Sequence, residues 1–288
     1  MRGKRSAGFS LIETLVSVAV TLGVGGALFQ LFVQNERVFR DQQLMLEMHQ
    51  SVRAVASMIA GEVRAAGQGV PGFAASHEND GLSESVQAFL AGTSPEELKM
   101  RVQLSEPDSV LGQPGFFEAG QTIGVRIQGS GALVPGDHVF FWGPTGLTWT
   151  WVRARVDAFA APSDLQVTPV AVGLEGGGFT RPPRVSLEDA VSYRLSGSSV
   201  LRGELLELAA DGTSRFRESS IGEYFTALDF VYYDRSGAAV GPASPAGRSA
   251  IHRVGFLLEA ETSGPLADGR PRTYALTTTV GSRNPEAW

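Results

Sequence analysis

The sequence predicts an α+β protein, with one long N-terminal helix followed by an antiparallel, β-rich head. Three observations predict it. Phe9–Val33 is an unbroken apolar run of 25 residues with one formal charge, Glu13. Apolar residues then recur at helical spacing as far as Val63, with no Gly or Pro after the run until Gly61. Beyond residue 67 the pattern changes to two-residue alternation between glycine- and proline-bearing turns. The 35 glycines among 288 residues suit a turn-rich β protein better than a helical bundle.

The helix comes first. About 20 apolar residues cross a bilayer core, so Phe9–Val33 is long enough to span one. Arg2, Lys4 and Arg5 precede the run, and a mixed flank of Glu36, Arg37, Arg40 and Asp41 follows it. Positive-inside ordering then puts residues 1–8 in the cytoplasm and the bulk of the chain outside. Two other readings compete. One is a buried helix of a soluble protein. The other is a cleaved signal peptide, but its small-residue site near Gly23–Ala27 is poor, because apolar residues continue to Val33. A carboxylate at the centre of a membrane helix costs about 2.5–3.5 kcal/mol on insertion scales, which makes Glu13 a functional candidate. The plainer alternative is a hydrated Glu13 near the interface. Gly23, Gly25 and Gly26 fit close helix packing, or else a weak point where the helix bends.

Past the run, Val38, Met45, Met48, Val52, Val55, Ile59 and Val63 form one apolar stripe. A helix over 9–66 would be about 87 Å long at 1.5 Å per residue. The stripe fits packing on the chain's own sheet or a coiled coil with another chain. His49 falls off it and reads as a solvated polar residue.

Gly67-Gln68-Gly69-Val70-Pro71-Gly72 stops the helix, and 73–97 reads as a loop. Ser94-Pro95 could begin a short helix, with Ser as cap and Pro at the first position. Leu98, Met100, Val102 and Leu104 alternate with polar residues as a half-buried strand, and Ile123, Val125 and Ile127 do the same. Val139–Trp142 is a buried run closed by Gly143-Pro144; Leu147, Trp149 and Trp151 alternate after a turn at Thr145-Gly146. Further strands are expected at 165–172, 191–195, 200–208, 225–233, 251–260 and 273–280. Asp211-Gly212 and Asp234–Gly237 are hairpin turns, and 236–249 reads as an exposed loop. No repeat or composition shift divides the head, although its length also allows a two-lobed sheet.

Composition narrows the chemistry. With no cysteine, disulfides, thiolate metal sites and a cysteine nucleophile are excluded. A net charge of −6 and a pI near 5.3 argue against binding dominated by nucleic-acid phosphates. No catalytic set stands out, so no enzymatic activity is expected, nor any cofactor or resident metal. His49, His77, His138 and His252 are dispersed without zinc-ligand spacing. Glu175–Phe179 is glycine-rich but lacks the Lys-Ser/Thr of a phosphate loop. His77-Glu78-Asn79-Asp80 offers hard oxygen ligands for Ca²⁺ but fits a solvated loop better. Glu188-Asp189, Asp229 and Asp234 read the same way, and the aromatic residues read as core.

Gly8-Phe9-Ser10-Leu11-Ile12-Glu13, behind a basic leader and before a spanning helix, closely resembles the prepilin peptidase site of type IV pilins and type II secretion pseudopilins. The resemblance implies cleavage between Gly8 and Phe9, N-methylation of Phe9, and pairing of Glu13 with the Phe9 amine of a neighbouring subunit to set axial register. It divides the chain into a leader (1–8), a transmembrane assembly helix (9–33), an amphipathic extension (34–66) packed on the head, and a periplasmic head (67–288). The tail, with Tyr274–Val280 leading to Arg283-Asn284, is loosely similar to PilW-type minor pilins, although those often carry cysteines and this chain has none. The family implies an inner-membrane, single-pass protein incorporated into a surface pilus. Its partners would be prepilin peptidase, other minor pilins, the major pilin, the pilus assembly platform and a tip adhesin. A J-class type II secretion pseudopilin is the alternative, and a membrane-anchored enzyme or binding protein is a third.

Overall fold

The computed structural model describes residues 11–68, 87–102, 108–112, 114–128, 133–173, 176–208 and 213–282. Gly8, Phe9, His77–Asp80, Glu175, Asp211-Gly212 and Arg283-Asn284 lie outside the described residues.

Helix α1 (Leu11–Ala65) runs unbroken for 55 residues, straight through Gly23, Gly25 and Gly26. It stops where the sequence places the stop. Gly67 takes φ +82°, a left-handed conformation open to glycine, and its N–H donates to the Arg101 carbonyl at 2.9 Å.

The strands follow in chain order as β1 (Glu97–Arg101), β2 (Asp108–Ser109), β3 (Ile123–Arg126), β4 (His138–Thr145), β5 (Thr148–Ala161), β6 (Asp164–Val172) and β7 (Arg184–Leu187). Then come β8 (Ala190–Ser196), β9 (Ser199–Leu208), β10 (Ser214–Gly222), β11 (Phe225–Tyr233), β12 (Ala239–Val240), β13 (Arg253–Glu261) and β14 (Thr273–Gly281). The short helix α2 (Pro245–Ser249) lies between β12 and β13. They form three antiparallel sheets with strand orders β1-β8-β9-β10, β12-β11-β13-β14 and β2-β7-β4-β5-β6-β3. One long apolar helix followed by an antiparallel β-rich domain is therefore the architecture, as the hydropathy pattern predicts.

The head holds two large hydrophobic cores. In the first, Met48, Val52, Val55, Ile59 and Val63 of α1 pack with Tyr193, Val200, Phe225, Phe230, Phe256 and Leu258 of the two four-stranded sheets. This resolves the choice left by the stripe: from Met48 onward the helix packs on the chain's own sheets. Gly222 allows the close approach, since a Cβ there would lie 3.0 Å from Val55 Cγ2 and 2.6 Å from Phe225. The second core lies on one face of the six-stranded sheet. Val139, Phe141, Val152, Ala154, Val156 and Val167 are buried there, with Phe117 5.1 Å from Phe141 between ring centroids.

Several expectations change. Ser94-Pro95 starts no helix: Ser94 Oγ accepts the N–H groups of Glu96 and Glu97, and the chain enters β1 directly. Strand β4 continues through Gly143-Pro144, because β7 pairs only as far as Trp142 and Pro144 needs no donor on that side. The stretch 236–249 carries β12 and α2, the latter capped by Ser244 and opened by Pro245. Val38 is exposed, so the buried part of the stripe begins lower. His49 is half-buried against Tyr274, with ring centroids 4.3 Å apart, rather than solvated.

Candidate functional site

The free half of α1 is the first functional feature. From Leu11 to Phe32 every side chain is exposed, including Leu11, Ile12, Leu15, Val16, Leu22, Leu28, Phe29 and Phe32. The exposed apolar residues lie on all sides of the helix. Its most apolar 18-residue window has a mean hydropathy of 2.0, so the helix is long and apolar enough to cross a membrane. Thr21 Oγ1 donates to the Ser17 carbonyl at 2.8 Å, so this hydroxyl donor is satisfied within the helix itself. Glu13 sits in the first turn of the described helix. Residues 11–40 project about 45 Å beyond the head at 1.5 Å per residue.

The helix is fastened below that point. Asp41 accepts the Ala267 N–H from the β13–β14 loop at 3.1 Å. Lower down, Glu62 takes two guanidinium N–H bonds from Arg202, at 2.9 and 2.7 Å, and one from the Tyr193 hydroxyl. Burial and the Glu62 carboxylate both push the Tyr193 hydroxyl well above the ordinary tyrosine range, so it donates throughout the physiological range.

The second feature is a buried ion triad. Glu188 lies between β7 and β8, where the chain leaves the six-stranded sheet for the four-stranded one. Its two oxygens each take one Nε–H, from Arg101 of β1 and Arg153 of β5, both at 2.8 Å. All three side chains are buried, at 0–5% exposure. Arg101 also donates to the Gln87 carbonyl, and the Gln87 side chain bonds Arg248 at 3.2 Å and the Pro245 carbonyl at 3.0 Å. A polar chain thus runs from the six-stranded sheet to α2. Burial alone would push the Glu188 carboxyl up, but the two guanidiniums outweigh it and hold it below the usual carboxylate range. The solvated reading of Glu188-Asp189 is therefore wrong for Glu188. Asp229 and Asp234 belong to β11 and its following turn, and Asp234 fits the turn reading, accepting from Ser236 and Ala238.

His138, at the start of β4, lies near the same triad. Burial, then the Arg153 charge, lowers its imidazole pKa against the pull of Glu188. A folded pKa below the unfolded value of about 6.5 means that His138 favours folding above that pH and opposes it as pH falls. The wild-type melting temperature is therefore expected to drop between about pH 7 and about pH 5. In His138→Gln that drop should shrink, as thermal melts at several pH values would record.

Among the described residues no three His, Asp or Glu side chains gather as metal ligands. No protein-family model matches the chain, and no curated protein is significantly similar to it.

Proposed function

We propose that the chain is a minor pilin of the PilW type. It is cut after Gly8, N-methylated on Phe9, and built into a pilus through its free apolar helix. The observation that carries the reading is that helix, fully exposed from Leu11 to Phe32 and headed by Glu13 behind the Gly8-Phe9 junction and a basic leader. A helix apolar on every side needs lipid first and neighbouring helices afterwards, and a filament core supplies the second. Within that core the Glu13 carboxylate needs a cation. The Phe9 amine freed by cleavage lies one helical turn away in sequence and is available from a neighbouring subunit. The residues 1–8 leader stays cytoplasmic and the head faces the periplasm. The head contributes shape and side chains for choosing neighbours rather than catalysis.

N-terminal sequencing of the mature protein tests the reading. N-methyl-phenylalanine at the first position is expected. A first residue of Met1, or one beyond Val33, removes it. Glu13→Val lowers the cost of insertion yet is expected to cut co-purification with pilus subunits at least tenfold, while cleavage proceeds normally. Unchanged co-purification would take the role from Glu13. The same pull-down identifies pilus or type II secretion components as the partners.

A further inference from the structure

The β4–β5 hairpin ends in an open cavity of about 710 Å³. Trp142, Pro144, Trp149, Thr180, Arg181 and Arg184 are among its lining residues. A two-residue loop, Gly146-Leu147, turns the hairpin, with Gly146 at φ +60° as a type II′ turn requires. The two indoles beside the turn lie 6.1 Å apart between centroids and tilt by 35°. The Arg184 guanidinium sits 5.3 Å from the Trp142 ring centroid. Trp149 is 49% exposed, a large apolar surface left in water.

The arrangement is held in place. The Thr180 N–H and hydroxyl both donate to the Pro144 carbonyl, at 2.8 and 3.0 Å, tying the loop before Arg181 to the hairpin. Thr150 Oγ1 donates to the Gly176 carbonyl at 2.6 Å. The Arg184 position is fixed by strand pairing with Trp142. Charge marks the place as well. Several surface arginines elsewhere on the head face carboxylates, as in Arg126–Asp164, Arg155–Asp157, Arg194–Glu218 and Arg215–Glu207. Arg181 and Arg184 are exposed and face no carboxylate among the described residues. In a chain of net charge −6, two guanidiniums that face no carboxylate among the described residues, beside two indoles, form a local site for an anion with an apolar face.

We propose that this cavity binds an acidic saccharide of the uronic-acid class. A pyranose ring presents a flat C–H face, which stacks on the exposed Trp149 indole, and a polar rim. A uronate carboxylate on that rim takes charge-assisted hydrogen bonds from Arg181 and Arg184. Single-stranded nucleic acid fits less well. It needs a run of cations along its phosphates, whereas this site offers two in an acidic protein. The tilt between the indoles also leaves no parallel slot for a base.

Calorimetric titration of the full-length protein in detergent micelles tests the proposal, with tetragalacturonate, maltotetraose and an oligothymidylate as probes. Saturable binding of tetragalacturonate is expected, at least tenfold tighter than maltotetraose. Trp149→Ala and the double variant Arg181→Gln/Arg184→Gln should each weaken it at least tenfold, and Trp149→Phe should retain most of it. Trp149 and both arginines are exposed, so the melting temperature should hold and serve as the folding control. No saturable binding of tetragalacturonate overturns the proposal, as does equal binding by the variants. Tighter binding of the oligothymidylate than of tetragalacturonate would overturn it in favour of a nucleic-acid site.

Discussion

Deleting residues 9–33 is expected to release the protein from membranes and to leave its head folded in solution. Twelve large apolar side chains of this segment are exposed, from Leu11 to Phe32. Burying each in lipid or a helix bundle is worth about 1.5–3 kcal/mol. Even the low end of that range sums to more than the roughly 5–15 kcal/mol that holds a typical domain together. The head loses little, because its anchoring contacts with the helix begin at Asp41 and its buried ones at Met48. The expected results are release from membranes without detergent and a melting temperature within a few degrees of the full-length protein. A truncated chain that still sediments with membranes would show that the head carries its own attachment. A deletion reaching Ile59 should behave oppositely. It removes Met48, Val52, Val55 and Ile59 from the first core, and side-chain losses of that kind cost about 2–5 kcal/mol each.

The contrast between these truncations follows what the sequence makes legible. A run such as Phe9–Val33 and a stripe such as Met48–Val63 are local patterns, readable without knowing what they touch. The same holds for strands β8, β9, β11, β13 and β14, whose alternation or apolar content lies within single segments, and for the stop at Gly67. Contacts between distant segments were not readable in this way. The sequence ends strand β4 at Gly143-Pro144, because whether Pro144 interrupts a ladder depends on β7 stopping at Trp142. Most of β5 beyond Trp151 is not legible in the sequence, since Arg153, Arg155 and Asp157 break its apolar signal. Strand β7 and the burial of its neighbour Glu188 are likewise set by distant segments. Strand β7 is short and polar-looking and is held by β2 and β4, while Glu188 after it is buried by ion pairs to Arg101 and Arg153, 87 and 35 residues away in sequence. Aromatic residues were expected in the core, which holds for Phe140 and Trp151. It fails for Trp149, whose exposure depends on where the hairpin tip points.

Glu188→Gln should then be strongly destabilising at the sheet junction. The carboxylate faces two guanidiniums that are almost fully buried, and Gln keeps the shape while removing the charge that both require. Leaving buried charge uncompensated costs about 3–5 kcal/mol. Arg101 belongs to the four-stranded sheet and Arg153 to the six-stranded one, so the loss falls on the joint between the two cores. Calorimetry should show a lower melting temperature and a broader or split transition, as the cores unfold with less coupling. The pH dependence provides a second readout. Glu188 has a folded pKa below its unfolded value of about 4.3, so its contribution is complete above that pH and disappears as pH falls through the folded value. Wild type should lose stability in that acid range, and Glu188→Gln should lose less of it, having already given up the charge. Replacing all three residues by apolar ones, Arg101→Met, Arg153→Met and Glu188→Leu, should recover most of the loss, because desolvation of the ions disappears together with their attraction. If Glu188→Gln melts like wild type at neutral pH, the junction is held by apolar packing alone. If the triple variant melts as low as the single one, shape at the junction matters more than charge.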